Sequence, residues 1–274
     1  MRGILLVNIG SPTSCSKADV KTFIGDILSD PLVTGKAEWW SKFLARNIIA
    51  PLSAASSAKK YQLVWRSEEP ITSPQHYHMR RLAQALEEAK GLPVEVATRY
   101  GEPNFTTAVK ELERRCPLLH EVIVFPLYPH YAQATTRTTI EEIGRLFYSR
   151  PHSFRLKFVK PYYDHPAFIH ALAAKATPYL NKIDRLIFIY HSLPVAQVEA
   201  AWKKGKEYDY VFQSKETNRI LCEKAGFDTK KTLLFYSSQR GEPLVKAISK
   251  QRYWRSAAAR MEEGRRDVTR VPYR

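Results

Sequence analysis

The chain has 274 residues, 44% of them hydrophobic, so it is long enough for two modest α/β domains or one large one with a sizeable core. No apolar run is long enough to span a bilayer, and residues 4–7 are too few for a signal-peptide core, so neither a membrane span nor a leader is expected. The net charge of +16 suits nucleic acid, an anionic membrane or an acidic small molecule without choosing among them; residues 245–274 hold nine Lys/Arg against three Asp/Glu.

In chain order, apolar runs of strand length stand at residues 4–7, 94–97, 122–125, 186–190 and 233–236. Helical spacing fills the gaps. Residues 79–90 place Leu82, Ala85, Leu86 and Ala89 on one face, and residues 105–115 do the same with Phe105, Ala108, Val109 and Leu112. Further helices are predicted over 138–147, 166–180 and 216–225. Strands alternating with helices predict parallel sheets flanked by helices. Proline-rich stretches at 150–152 and 160–166 read as a hinge, dividing the chain into 1–153 and 154–274. All eleven glycines are isolated and no Gly-x-Gly occurs, which excludes a dinucleotide fingerprint; no Walker loop is present either. Cys15, Cys116 and Cys222 are widely spaced and odd in number, as expected of free thiols in a reducing compartment, with cytoplasm the default.

Four segments place polar or aromatic residues at predicted strand ends, the edge where open α/β sheets bind ligands. They are Val7-Asn-Ile-Gly-Ser-Pro12, Thr98-Arg-Tyr-Gly-Glu-Pro103, the aromatic loop Pro126-Leu-Tyr-Pro-His-Tyr-Ala-Gln-Ala-Thr-Thr136, and Tyr190-His-Ser-Leu-Pro194. Gly10 permits a tight turn in the first. Arg99 offers a carboxylate a bidentate fork, and Tyr100 offers a flat face. His191 is the most informative residue: an imidazole at a strand end takes up protons near neutrality and ligates ferrous iron and other transition metals. Each segment read alone is a proline-stiffened turn. Four at successive strand ends point to a ligand site, and the many Tyr, Phe and Trp residues suit a large planar ligand.

These motifs together resemble the ferrochelatase family. The resemblance runs from residue 1 to about 244. It is carried by Leu5-Leu-Val-Asn-Ile-Gly-Ser-Pro12, Leu28-Ser-Asp-Pro-Leu-Val33, Ser57-Ala-Lys-Lys-Tyr61, Ser73-Pro-Gln-His-Tyr-His-Met-Arg-Arg-Leu82, Arg99-Tyr-Gly-Glu-Pro103, the aromatic loop and His191-Ser-Leu-Pro194. It implies a chelatase-like fold of two Rossmann-like halves, the second incomplete. It also implies a lyase inserting ferrous iron into protoporphyrin IX in the last step of haem biosynthesis, with iron as substrate and no resident cofactor. His191 matches the family histidine placed over the ring, for proton removal, metal binding or both. Arg99, Tyr100, Tyr61 and Ser73 match positions around the porphyrin cleft, and Tyr128 joins them from the aromatic loop. His130 is a secondary candidate there. Residues 38–51 resemble an apolar lip that in many members rests on a membrane, implying peripheral contact; an amphipathic core helix with a Trp pair is the other reading.

The resemblance ends in the tail. Residues 245–274 form an atypical basic segment lacking the family's further strand and its acidic motif, and a truncated or frame-shifted tail is the expectation. A chelatase for another tetrapyrrole or metal, and an inactive porphyrin-binding protein, are the alternatives. A nucleic-acid module rests on charge alone and is not expected. The three cysteines give no support for the iron–sulfur cluster of some relatives. His76-x-His78 would suit a strand-borne metal pair but has no third ligand nearby. The sequence is silent on oligomeric state.

Overall fold

Apolar residues of both parities in the first strand send side chains to the two faces of one sheet. The computed structural model describes residues 1–35 and 37–237. Close packing divides the chain into two units, Met1–Pro161 and Tyr162–Arg274.

The first unit runs β1 (Arg2–Asn8), α1 (Lys17–Ser29), α2 (Pro31–Thr34), α3 (Glu38–Leu44), a π-helical turn (Ala45–Ile49), α4 (Ala50–Val64) and α5 (Pro74–Lys90). It continues through β2 (Val94–Thr98), α6 (Phe105–Arg115), β3 (Glu121–Pro126), a second π-helical turn (Gln133–Arg137), α7 (Thr138–Phe147) and β4 (Arg155–Phe158). The four strands are all parallel in the order β2-β1-β3-β4. The chain therefore reverses its direction of sheet growth between β1 and β3, and the crevice at the carboxyl ends of those strands is where such sheets bind ligands.

On one face Leu5, Val7, Val122 and Val124 pack with Phe105, Ala108, Val109 and Leu112 of α6 and Ile143 of α7. On the other, Ile4, Leu6, Val94 and Val96 meet Met79 and Ala83 of α5. The face predicted for α6 is buried as expected. That of α5 is not: Leu82 is 46% exposed, and the buried stripe runs through Met79 and Ala83, with Leu86 packed beside them. Both stripes satisfy the helical period. The long Met79 side chain reaches the sheet, whereas Ala85 and Ala89 offer little surface to bury.

The strand β4 lies between the two proline-rich stretches read as a hinge. Its residues alternate exposed and half-buried, and it pairs with β3 along the outer edge of the sheet. The division of the chain thus falls after Pro161 rather than after residue 153.

The second unit contains α8 (Pro166–Leu180), β5 (Leu186–His191), α9 (Val195–Trp202), α10 (Tyr210–Ala225) and β6 (Thr232–Ser237). Among the described residues its sheet has two parallel strands, β5 and β6. The buried side of α10 carries polar residues, each satisfied locally. Gln213 donates to the Lys206 and Glu207 carbonyls at 3.1 and 2.8 Å, Thr217 to the Tyr163 carbonyl at 2.8 Å, and Asn218 accepts from the Tyr190 hydroxyl at 2.7 Å. Residues 245–274 and their predicted basic tail lie outside the described residues.

Candidate functional site

The loops leaving β1, β2 and β3 stay paired beyond the strand ends. The Arg99 and Tyr100 amides donate to the Asn8 and Ile9 carbonyls at 2.8 and 2.9 Å, and the Leu127 amide donates to Val7 at 2.7 Å. Gly10 makes the close approach possible. Its φ is +103°, and a Cβ there would lie 2.0 Å from the Tyr100 carbonyl oxygen.

At this edge Arg99 and Tyr100 converge on one buried carboxylate, Asp30. The Arg99 Nη2 and the Tyr100 hydroxyl each donate to Asp30 Oδ2 at 2.8 Å. The Thr138 hydroxyl donates to the same oxygen and accepts from Arg99 Nε at 2.9 Å. Asp30 Oδ1 caps α2 by accepting from the Leu32 amide at 2.8 Å. Burial works to raise the Asp30 pKa, but hydrogen bonds from Thr138, Tyr100 and the Leu32 amide, with the Arg99 charge, hold the carboxyl below its ordinary range. The Tyr100 hydroxyl is pushed well above its ordinary pKa, chiefly by burial, and donates as a neutral phenol. A cavity of about 740 Å³ opens beside the cluster, bounded by Arg99, Tyr100, Lys42, Arg46, Glu142 and Arg145 among others. That volume lies within the range of small-molecule sites.

The remaining predicted residues of this unit hold distinct places. Tyr128 is buried, its hydroxyl 3.3 Å from Thr139 Oγ1. Ser73 is also buried. Its hydroxyl caps α5 by accepting from the His76 amide at 3.2 Å and lies 2.6 Å from the Ser11 hydroxyl, the arrangement a Ser-Pro pair at a helix start favours. Tyr61, half-buried near the end of α4, meets Phe23 and Trp65 edge-on at 6.4 and 6.3 Å. Burial raises its pKa.

Burial depresses His130 to about 4, so its imidazole is neutral at physiological pH. Because the folded pKa lies below the unfolded value of ~6.5, this burial penalises the fold progressively as pH falls from that value towards 4. In an NMR titration the His130 ring is expected to stay unprotonated down to pH 5, and protonation above that pH would refute its burial. His76 and His78 lie on α5, not on a strand. Two residues apart on a helix they point away from each other, and His76 instead accepts from Arg80 Nε at 3.4 Å. Among the described residues no three His, Cys, Asp or Glu side chains gather to hold a metal.

On α3 and the turn after it, Trp39, Trp40, Phe43 and Ile48 are 64%, 45%, 53% and 43% exposed, with Trp39 and Trp40 stacked at 4.3 Å. These exposures rule out a core helix for that face.

In the second unit His191 ends β5, exposed to solvent. Its Nδ1 is 2.8 Å from the Ser192 carbonyl. A carbonyl only accepts, so Nδ1 carries the proton of the neutral ring and Nε2 presents the lone pair. Beneath it Tyr190, Tyr210 and Tyr236 form a mutual cluster with ring centroids 6.1 to 6.3 Å apart, and Tyr210 is hydrogen-bonded to the His191 backbone.

Asp30 and Thr138 were not singled out from the sequence. Asp30 had a local signal, an acidic cap ahead of a proline, but its partners lie 69 to 108 residues away.

Comparison with known proteins agrees with this architecture. The ferrochelatase family model matches residues 1–247. The chain is 35% identical to a ferrochelatase of Photobacterium profundum over 70% of its own length and 59% of the relative's. For a ferrochelatase of Rhodopseudomonas palustris the figures are 32%, 87% and 69%, and for one of Vibrio cholerae they are 30%, 88% and 72%. The chain thus spans between about three fifths and three quarters of these relatives. With the family's motifs in order on a parallel α/β frame and its model matching nine tenths of the sequence, the chain belongs to the ferrochelatase family.

Proposed function

We propose that the chain inserts ferrous iron into protoporphyrin IX, completing haem. The observation that carries this is His191, which presents an Nε2 lone pair at the carboxyl end of a parallel strand, with Nδ1 engaged by a backbone carbonyl. Membership of the family supports the reading. The reaction exchanges two pyrrole N–H protons for one divalent iron. Nε2 accepts a proton or binds the metal, one at a time. Arg99 and Tyr100 wall the ring. Nε and Nη2 of Arg99 are engaged by Thr138 and Asp30, and Nη1 is the nitrogen we assign to a propionate. Tyr128, Tyr61 and Ser73 complete the ring's surroundings. The substrates are the porphyrin and iron, and nucleic acid is no partner.

We assign the exposed apolar face of α3, flanked in the sequence by Lys42 and Arg46, to a membrane interface, from which a hydrophobic porphyrin partitions. Among the described residues no helix is long and apolar enough to cross a membrane. Free Cys15, Cys116 and Cys222 support a cytoplasmic setting for this peripheral contact. Replacing Trp39 and Trp40 together by serine is expected to weaken vesicle binding by roughly tenfold or more. Turnover of detergent-dispersed porphyrin should stay near wild type. Unchanged vesicle sedimentation would remove the assignment.

The function is tested by anaerobic incubation with protoporphyrin and ferrous iron, following loss of porphyrin fluorescence. Turnover supports the lyase. Tight binding without turnover would make the chain a porphyrin carrier, and no binding would overturn the reading.

A further inference from the structure

We propose that Asp30 is a positioning residue for the porphyrin wall, acting through Arg99 and Tyr100; the inference rests on the ferrochelatase reading. Four donors close on this one buried carboxylate: Arg99 Nη2, the Tyr100 hydroxyl, the Thr138 hydroxyl and the Leu32 amide. Two of them belong to the residues that wall the ring. Thr138 locks the arrangement from the side, accepting from Arg99 Nε while donating to Asp30.

The geometry says what this achieves. A free arginine side chain samples many rotamers, and a fork that must meet a propionate loses affinity whenever it swings away. With Nε and Nη2 both engaged, the guanidinium plane is fixed and lies with its centre 4.5 Å from the Tyr100 ring centroid. The same carboxylate holds the phenol, so both walls take their orientation from one group. Asp30 also begins α2, directly ahead of the lip, and through α2 the root of the lip is tied on: the hydroxyls of Thr34 and of Ser41 on α3 share a hydrogen bond at 2.7 Å. A buried ion pair contributes little net stability compared with apolar packing, so its use is the fixed geometry it imposes.

The test compares wild type with Asp30→Asn, which keeps size and removes the charge. Porphyrin KM is expected to rise roughly ten- to hundredfold, from mispositioned wall residues. The kcat at saturating porphyrin should stay within about threefold, because His191 is untouched. The same substitution in an Arg99→Leu/Tyr100→Phe background should add almost nothing, since the residues it acts through are gone. A folded D30N protein with unchanged KM would overturn the proposal, as would a full further loss in the double background. Should D30N fail to fold, Thr138→Val, which deletes one donor and leaves the charge, is expected to raise KM severalfold, and no rise would count against the proposal. A readout independent of turnover is the Arg99 Nε–H resonance in arginine-selective ¹⁵N NMR. It should be sharp and slowly exchanging in wild type and averaged in D30N. If the wild-type chain binds no porphyrin, the ferrochelatase reading fails, and this resonance alone decides the fate of the Asp30 assignment: a signal unaltered in D30N would overturn it.

Discussion

Replacing His191 with alanine is expected to lower iron insertion by about 10²–10⁴-fold, the range for losing a positioned acid–base group. The loss should come without unfolding. His191 is exposed, and its side chain is hydrogen-bonded to the neighbouring Ser192 carbonyl, so the melting transition should move little. Porphyrin affinity should change by no more than a fewfold, because the residues assigned to the ring are Arg99, Tyr100 and their neighbours. His191→Asn sharpens the test: an amide can still donate to Ser192, but it neither accepts a pyrrole proton nor ligates iron well. Equal loss in both variants would mark the Nε2 lone pair as what matters. Turnover near wild type in either would end the assignment of His191.

The second large effect is expected at a residue with no side chain. Gly10→Ala forces a side chain into a backbone conformation with φ of +103° and drives its Cβ to 2.0 Å from the Tyr100 carbonyl oxygen. The neighbour is main chain, and its own amide is held by Ile9, so it has no flexible end to swing aside. Adding strain to overpacking gives a cost of roughly 2–6 kcal/mol. Porphyrin binding should weaken too, because relief of the clash displaces Tyr100. Gly226→Ala is the control. Its φ is +67° with nothing within 4 Å of the added methyl, so it carries the conformational cost alone, about 1–2 kcal/mol. Equal denaturant midpoints for the two variants would refute the close-packing argument; the difference between them isolates the clash at Tyr100.

Most of the first sheet was readable from the sequence because β1, β2 and β3 are short apolar runs buried on both faces. The edge strand β4 was not. Its Arg-Leu-Lys-Phe segment is four residues long, half-exposed and flanked by prolines, and only pairing to β3 makes it a strand. The stripe of α5 was misplaced because two stripes fit the period and the sheet chose between them. At the site, placing Arg99 and Tyr100 at the end of β2 required only the rule that parallel strands present their carboxyl ends together. That the Arg99 fork is filled by Asp30 required tertiary contacts across 69 residues, which no local pattern encodes. The cap of α5 was legible too, since Ser73 stands directly before Pro74, and its hydroxyl accepts from the His76 amide.

The backbone pairing that continues past β1 and β2 has a consequence for how the wall behaves in time. Surface loops ordinarily open by local fluctuation, and their amide hydrogens exchange quickly with solvent. The amides of Arg99 and Tyr100 are instead held by Asn8 and Ile9, carbonyls that continue the central strand. Their exchange is expected to follow the parting of β1 from β2 rather than loop fluctuation, a protection that hydrogen–deuterium exchange would read. The conformation of this loop is therefore tied to the stability of the sheet itself: whatever loosens the pairing of β1 with β2 is expected to loosen Arg99 and Tyr100 with it.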